Sequence, residues 1–111
     1  MNMQHQDLAN GKWFSLTLCE QLGNVGSEVG RAAKWKMKNA TVYSSAIHRA
    51  LELLDLTLAD ERWKNRLKEI SRAREAVCEA YSEKDEFNSS LTSLEKYFNH
   101  FAFAARKQSG K

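Results

Sequence analysis

The sequence predicts an all-α protein that folds as a four-helix up-and-down bundle. The 111 residues include no proline, and three of the five glycines fall within the first predicted helix. Apolar residues recur at steps of three and four, which is the spacing of a buried helix face, and the alternation typical of strands is missing. Together these features favour helices packed on helices.

A chain of this length is expected to form one domain with its own hydrophobic core. We therefore predict a single bundle over residues 1–111, with a flexible arm at 1–11 and a frayed basic tail at 106–111. The N-terminus lacks the charged-then-apolar pattern of an export signal, and no run approaches the roughly 18 apolar residues of a membrane helix. These features predict a cytoplasmic protein that makes no membrane contact.

The first helix is predicted over residues 13–38. Its apolar stripe consists of Leu18, Leu22, Val25, Val29 and Ala32. The same segment contains Gly23, Gly26 and Gly30, each of which costs a helix interior up to about 1 kcal/mol relative to Ala. We interpret them as close-packing glycines that let another helix or a partner approach the backbone. The alternative is a break between Gly23 and Asn24, with Ser27 capping a second helix.

The second helix is predicted over residues 41–59 and the third over 61–82. The second has a broad apolar face, formed by Tyr43, Ala46, Ile47, Ala50, Leu51, Leu53, Leu54 and Leu58. Such a width indicates a central helix. Asp60 is a good N-cap for the third helix, and the short connection makes the two helices antiparallel.

The fourth helix is predicted over residues 90–105, after a polar loop at 83–88. Ser90 is the expected cap, and Thr92 with Glu95 offers an alternative capping box. Its inward stripe consists of Leu91, Leu94, Phe98, Phe101 and Ala105, thickened by Tyr97 and Phe103. This breadth predicts a helix that is buried on two sides or shared with another subunit.

Charged and polar residues beside the apolar stripes form a candidate polar groove. They are Asn24, Glu28, Arg31, Arg49, Glu52, Asp55, Glu69, Arg72 and Arg74. Arg74 stands between Ile70 and Val77, where an apolar residue is expected, so its charge needs a partner. Two interpretations remain open. The residues form interhelical ion pairs that fix the helix register, or they line a groove that binds an anionic partner.

Positive charge is concentrated in the middle of the chain. Residues 31–74 hold eleven Lys or Arg against five Asp or Glu, whereas residues 75–105 hold two against six. The candidate basic contacts are Lys34, Lys38, Arg62, Lys64, Arg66 and Lys68. They make RNA a possible partner through contacts to the phosphate backbone, although a net charge of +3 gives only weak attraction.

The sequence offers no catalytic or metal-binding motif, so no cofactor is predicted and the chain is not expected to be an enzyme. No Ser lies in a Gly-x-Ser-x-Gly elbow, and Cys19 and Cys78 have no zinc-type spacing. No Glu precedes a His by three residues, as di-iron bundles require. His48 and Glu52 lie one turn apart, but two groups do not make a metal site.

Several segments resemble a group of small uncharacterised prokaryotic helical proteins. They are NVGSEVGRA at 24–32 with Trp35 and Lys36, RALELLDLT at 49–57, RLKEI at 66–70 and YFNHFAFAA at 97–105. Size and layout are more loosely similar to the four-helix bundles of ribosomal intervening sequences and HEPN domains. The HEPN nuclease signature is an Arg four to six residues before a His, and no Arg stands so before His48 or His100.

We therefore predict a non-enzymatic binding or scaffold bundle. It would act through helix-mediated association, either as a homo-oligomer through the glycine-bearing first helix or the aromatic last helix, or with a protein partner. The alternative is an RNA-associated or toxin–antitoxin-like module that is related to HEPN domains and lacks their nuclease motif.

Overall fold

The computed structural model describes residues 11–82 and 89–109, and it shows an all-α four-helix bundle. The helices are α1 (Leu18–Trp35), α2 (Ala40–Leu58), α3 (Leu67–Ser82) and α4 (Ser89–Ser109), with 3₁₀ segments at Trp13–Ser15 and Glu61–Arg66. Helix α1 packs extensively against α2 and α4, whereas α3 packs mainly on α2 and makes few contacts with α4. The bundle is therefore packed tightly around α1, less tightly between α2 and α3, and loosely between α3 and α4.

Helix α1 begins at Leu18 because Thr17 caps it. The Thr17 hydroxyl accepts a hydrogen bond from the backbone N–H of Glu20 (3.1 Å), and the Glu20 carboxylate accepts one from the N–H of Thr17 (2.8 Å). This reciprocal capping box fixes the helix start. The predicted bounds of 13–38 are too wide, since Trp13–Ser15 forms a separate 3₁₀ turn and α1 ends at Trp35.

Helix α1 runs unbroken through its three glycines, so the alternative of a break between Gly23 and Asn24 is wrong. Helix α4 covers the glycine side. A Cβ built on Gly26 would lie 2.6 Å from the Cβ of Phe98, and one on Gly23 would lie 3.0 Å from the Cα of Ala102. The missing side chains thus allow close approach by a helix of the same chain. This face of α1 is not available to a second copy.

The second and third predicted helices differ from the structure mainly at their starts. Helix α2 begins at Ala40, one residue before the predicted start, and Asn39 caps it, because its side-chain oxygen accepts a hydrogen bond from the N–H of Val42 (3.1 Å). Asp60 is a cap as predicted, and accepts from the N–H of Arg62 (3.1 Å). It caps the 3₁₀ segment, within which Trp63 has the non-helical angles φ −104° and ψ 21°. The segment 61–82 therefore consists of a 3₁₀ helix followed by α3.

Helix α4 is longer than predicted. It spans Ser89–Ser109 rather than 90–105, so Ser90 lies inside the helix instead of capping it, and the first four residues of the predicted tail are helical. The predictions of an arm over residues 1–10, a loop at 83–88 and a tail at 110–111 fall outside the described residues.

All four helices contribute to one hydrophobic core. Its largest fully buried apolar side chains are Trp13, Leu22, Val25, Val29, Ile47, Leu54, Ile70, Val77, Leu91 and Phe98. Trp13 precedes α1 but has no exposed surface, so the chain before the capping box is anchored in the bundle. None of the described helices has an apolar stretch long enough to span a lipid bilayer.

Candidate functional site

The nine residues of the candidate polar groove do not come together at one site. Asn24 and Arg31 are exposed on α1, and the Asn24 amide donates to the carbonyl of Glu20 (2.8 Å). Asp55 and Arg74 meet between α2 and α3, while Glu69 and Arg72 lie in a groove between α3 and α4. The structure therefore does not contain one groove that all nine residues line.

Asp55 and Arg74 form an interhelical ion pair. The Arg74 Nε lies 2.7 Å from Asp55 Oδ1, and its Nη2 lies 3.3 Å from Oδ2. The hydrogen bond that Arg74 donates to the Asp55 carboxylate raises the pKa of Arg74 further above its usual value. The charge that interrupts the apolar stripe of α3 is thus paired with a carboxylate of α2.

Glu28, Arg49 and Glu52 are half-buried on α1 and α2. One carboxylate oxygen of Glu28 and one of Glu52 are buried, and neither accepts a hydrogen bond within the described part of the chain. These two atoms are the least satisfied polar groups of the candidate set, and neither lines the α3–α4 groove.

The most extensive polar network lies at the end of the bundle where α1 begins. Gln21, which is fully buried, donates from Nε2 to the carbonyl of Trp13 and to Asp60 Oδ2 (both 3.0 Å). Its Oε1 accepts from the indole of Trp63 (2.8 Å). The Trp13 indole donates to the Thr57 hydroxyl (3.2 Å), which donates to the carbonyl of Leu53 (3.0 Å). Since its donors are paired, we assign this network a structural role.

Arg62 extends this network to the surface. Its Nη2 donates to Asp60 Oδ2 and to the carbonyl of Leu16 (both 2.6 Å), and its guanidinium lies 4.4 Å from the centre of the Trp63 ring. The hydrogen bonds from Arg62 lower the pKa of Asp60, and this effect outweighs the burial that would raise it. Arg62, one of the candidate basic contacts, is therefore committed to a structural ion pair.

The α3–α4 groove has a volume of about 600 Å³. Its apolar part is formed by small and half-buried side chains of both helices, namely Ala73, Ala76, Leu94 and Tyr97. Small residues on α3 leave space beside the larger ones on α4. This volume lies within the roughly 300–1,000 Å³ of typical ligand sites, which occur between bundle helices among other places.

The rim of the groove is basic. Arg66, Lys68 and Arg72 are exposed and line it from the side of α3, together with Asn65, and Glu69 is the one acid among the described lining residues. Of the other candidate basic contacts, Lys64 is exposed in the 3₁₀ segment, and Lys34 and Lys38 are exposed near the end of α1. The groove therefore combines an apolar floor with an excess of positive charge.

Glu69 links the two walls of the groove. Its Oε1 accepts hydrogen bonds from Nε (2.9 Å) and Nη2 (2.7 Å) of Arg66, and its Oε2 accepts one from the Tyr97 hydroxyl (3.4 Å). Burial raises the pKa of Tyr97, and the negative charge of Glu69 adds to this effect. The phenol is therefore protonated at neutral pH and acts as a donor.

A second polar cluster lies between α2 and the end of α3. The Ser44 hydroxyl is 3.4 Å from His48 Nδ1 and 3.1 Å from the Tyr81 hydroxyl, and the rings of His48 and Tyr81 meet edge to face. His48 and Tyr81 are exposed, and this cluster lies outside the described cavities. No group of three His, Cys, Asp or Glu residues with metal-binding geometry occurs in residues 11–82 and 89–109.

Sequence reasoning identified the rim of the groove but not its floor. Arg66, Lys68, Glu69 and Arg72 were candidates because of their charge. The floor residues were predicted to face the core or were not singled out, since nothing in the sequence shows that α3 stands away from α4. No family model matches the chain, and no curated protein or solved structure is significantly similar to it, so the resemblances described above stay predictions.

Proposed function

We propose that the protein is a non-enzymatic binding module, and that its α3–α4 groove takes an amphipathic helix of a partner protein with acidic residues beside the apolar stripe. The observation that carries this proposal is the combination, in one groove, of an apolar floor and a cationic rim. Helix-in-groove recognition uses such a surface, because the partner buries its apolar face while its flanks meet the rim.

The apolar floor supports a helical occupant. Leu94 and Tyr97 lie one turn apart on α4, and Ala73 and Ala76 lie opposite them on α3. On the α3 side the lining residues run from Asn65 to Ala76, a length that suits side chains at positions i, i+3 or i+4, and i+7 of a docked helix. Because α3 makes few contacts with α4, space for an occupant remains between the two helices.

The rim supports an acidic occupant. Arg66, Lys68 and Arg72 outnumber Glu69, and all three cations are exposed. Complementary charges raise the association rate and disfavour partners with basic flanks more than they add to the final affinity. We therefore expect the charge of the partner to determine selectivity and the apolar stripe to determine most of the affinity.

Self-association is supported less well. Phe103 is exposed on α4 (56%), but the residues one turn away from it are polar, namely Asn99, His100, Arg106 and Lys107. Arg106 and Lys107 also hold their charges over the Phe103 ring. A single exposed aromatic offers little area for a dimer interface.

RNA binding is also supported less well. It would use the same cations of the groove rim, but it gives no role to the apolar floor of the groove.

Three synthetic helical peptides test the proposal. They share one stripe of Leu residues and differ only in the flanking positions, which are all Glu, all Gln or all Lys, and fluorescence anisotropy measures their binding. We expect the order Glu, Gln, Lys in decreasing affinity, with a preference that shrinks as salt increases. A single-stranded RNA oligonucleotide is measured in parallel, and sedimentation of the free protein reports self-association.

Two protein variants with a matched change in size locate the binding site. Ala76→Trp fills the floor of the groove, whereas Ser71→Trp places the same side chain on an exposed position of α3 that does not line it. We expect Ala76→Trp to abolish binding of the Glu peptide and Ser71→Trp to leave it unchanged. Absence of peptide binding, equal loss in both variants, or tight binding of RNA alone would overturn the proposal.

A further inference from the structure

The α3–α4 groove contains two donors that converge on a single carboxylate. Arg66, the last residue of the 3₁₀ segment before α3, donates from Nε and Nη2 to one oxygen of Glu69, and the Tyr97 hydroxyl on α4 donates to the other oxygen. A guanidinium and a phenol on opposite walls form a binding position for a carboxylate, because each donor serves a different oxygen. We call the donor pair Arg66 and Tyr97 the carboxylate seat.

The Glu69 carboxylate is bound only weakly in the carboxylate seat. Its ion pair with Arg66 joins residues three apart in the chain, across the junction of the 3₁₀ segment and α3, and both side chains are about half exposed (48% and 41%). Such pairs contribute little to stability in water. Both Arg66 donors point at the same oxygen, and the bond from Tyr97 is at the long end of the hydrogen-bond range. An incoming carboxylate with better geometry therefore displaces Glu69 at low cost.

We infer that Glu69 occupies the carboxylate seat in the free protein and that a Glu or Asp of the partner helix takes its place on binding. Glu69 is then an internal competitor that determines how strongly the groove favours acidic partners. The inference rests on the proposed function, since it concerns the same groove. It goes further in naming the recognised group, its two protein partners and a residue whose removal strengthens binding.

The Glu and Gln peptides, together with three variants, test this inference. In Glu69→Gln the competing charge is removed and Arg66 remains, so we expect the Glu peptide to bind about tenfold tighter, as for one charge-assisted hydrogen bond regained. The Gln peptide should change little. Arg66→Gln should weaken binding of the Glu peptide and cancel the gain when combined with Glu69→Gln. Tyr97→Phe should weaken it less, because it removes one neutral donor.

A purely structural Glu69 gives the opposite result, since loosening the α3–α4 contact would weaken both peptides equally. Glu69→Ala is a second variant without the charge, and circular dichroism shows whether each variant is folded. If the wild-type protein binds none of the peptides, the proposed function fails. If it binds the Glu peptide and neither Glu69 variant binds it more tightly, the proposed function stands and the inference is wrong.

Discussion

Replacement of Gly26 by Ala should destabilise the protein, whereas the same change at Gly30 should not. A Cβ at Gly26 would lie 2.6 Å from Phe98 Cβ, an atom that is fixed by the α4 backbone. A Cβ at Gly30 would meet Glu95 Oε2 at the same distance, but this atom is the end of a flexible side chain that can rotate away. Each variant thus adds one methyl group at the same distance from a neighbouring atom. That neighbour cannot move away at Gly26, whereas it can at Gly30.

The magnitude follows from two opposing terms. Each substitution gains up to about 1 kcal/mol because Ala favours a helix interior over Gly. Overpacking a buried contact costs about 1–3 kcal/mol, and only Gly26→Ala incurs it. The gain in helix propensity cancels between the variants. Gly30→Ala should therefore be more stable than Gly26→Ala by about 1–3 kcal/mol, and at least as stable as the wild-type protein.

Urea unfolding followed by far-UV circular dichroism measures this difference. The free energy of unfolding should depend on urea concentration with the same slope in both variants, which shows that they unfold in the same way. Equal stabilities, or a more stable Gly26→Ala, would show that α4 does not lie against α1 at this position. The close approach of the two helices would then be wrong, and with it the assignment of the glycine face to an intramolecular contact.

Three further changes test other parts of the fold. Thr57→Val should cost about 1–3 kcal/mol, because it leaves the buried Trp13 indole without an acceptor, while Thr57→Ser should retain most of the stability; equal losses in the urea midpoints would contradict this. Asp60→Asn should destabilise at neutral pH. The folded pKa of Asp60 is lowered by Arg62, so its contribution is present above the unfolded value of about 3.9 and disappears as the pH falls through the lower folded value. Urea unfolding of the wild-type protein and this variant should therefore converge in strongly acidic buffer, and a constant difference would refute the assignment. Gly23→Ala, with a Cβ 3.0 Å from the Ala102 backbone, should fall between the other two glycine variants in thermal stability; a melting temperature above that of Gly30→Ala would count against it.

The four helices were predictable because their apolar stripes are long and regular. The start of α1 was also visible in the sequence, since Thr17 and Glu20 form the spacing of a capping box, but the apolar residues Trp13 and Phe14 favoured an earlier start. In the structure Trp13 is buried through a 3₁₀ turn instead. An anchor of this kind looks like a continuation of the helix when only the spacing of apolar residues is considered.

The burial of Gln21 and the presence of the groove could not be predicted in this way. The hydrogen-bond partners of the Gln21 side chain lie 8, 39 and 42 residues away in the chain. The groove depends on how far α3 stands from α4, and this distance depends on packing between elements rather than on any local pattern. Charge alone identified Arg66 and Arg72, whereas Tyr97 became a candidate only once the opposite wall was known.

The loose closure between α3 and α4 has a consequence for how the surface can change. Helix α3 is attached mainly through α2, so small outward swings of α3 leave the tightly packed α1–α4 pair undisturbed. If the groove binds a partner helix as proposed, partners with side chains of different size can be accommodated without a change in the packing of α1 on α4. Substitution of the exposed rim residues Lys68 and Arg72 should likewise change the stability of the fold little, so the specificity of this side can be altered separately from the core.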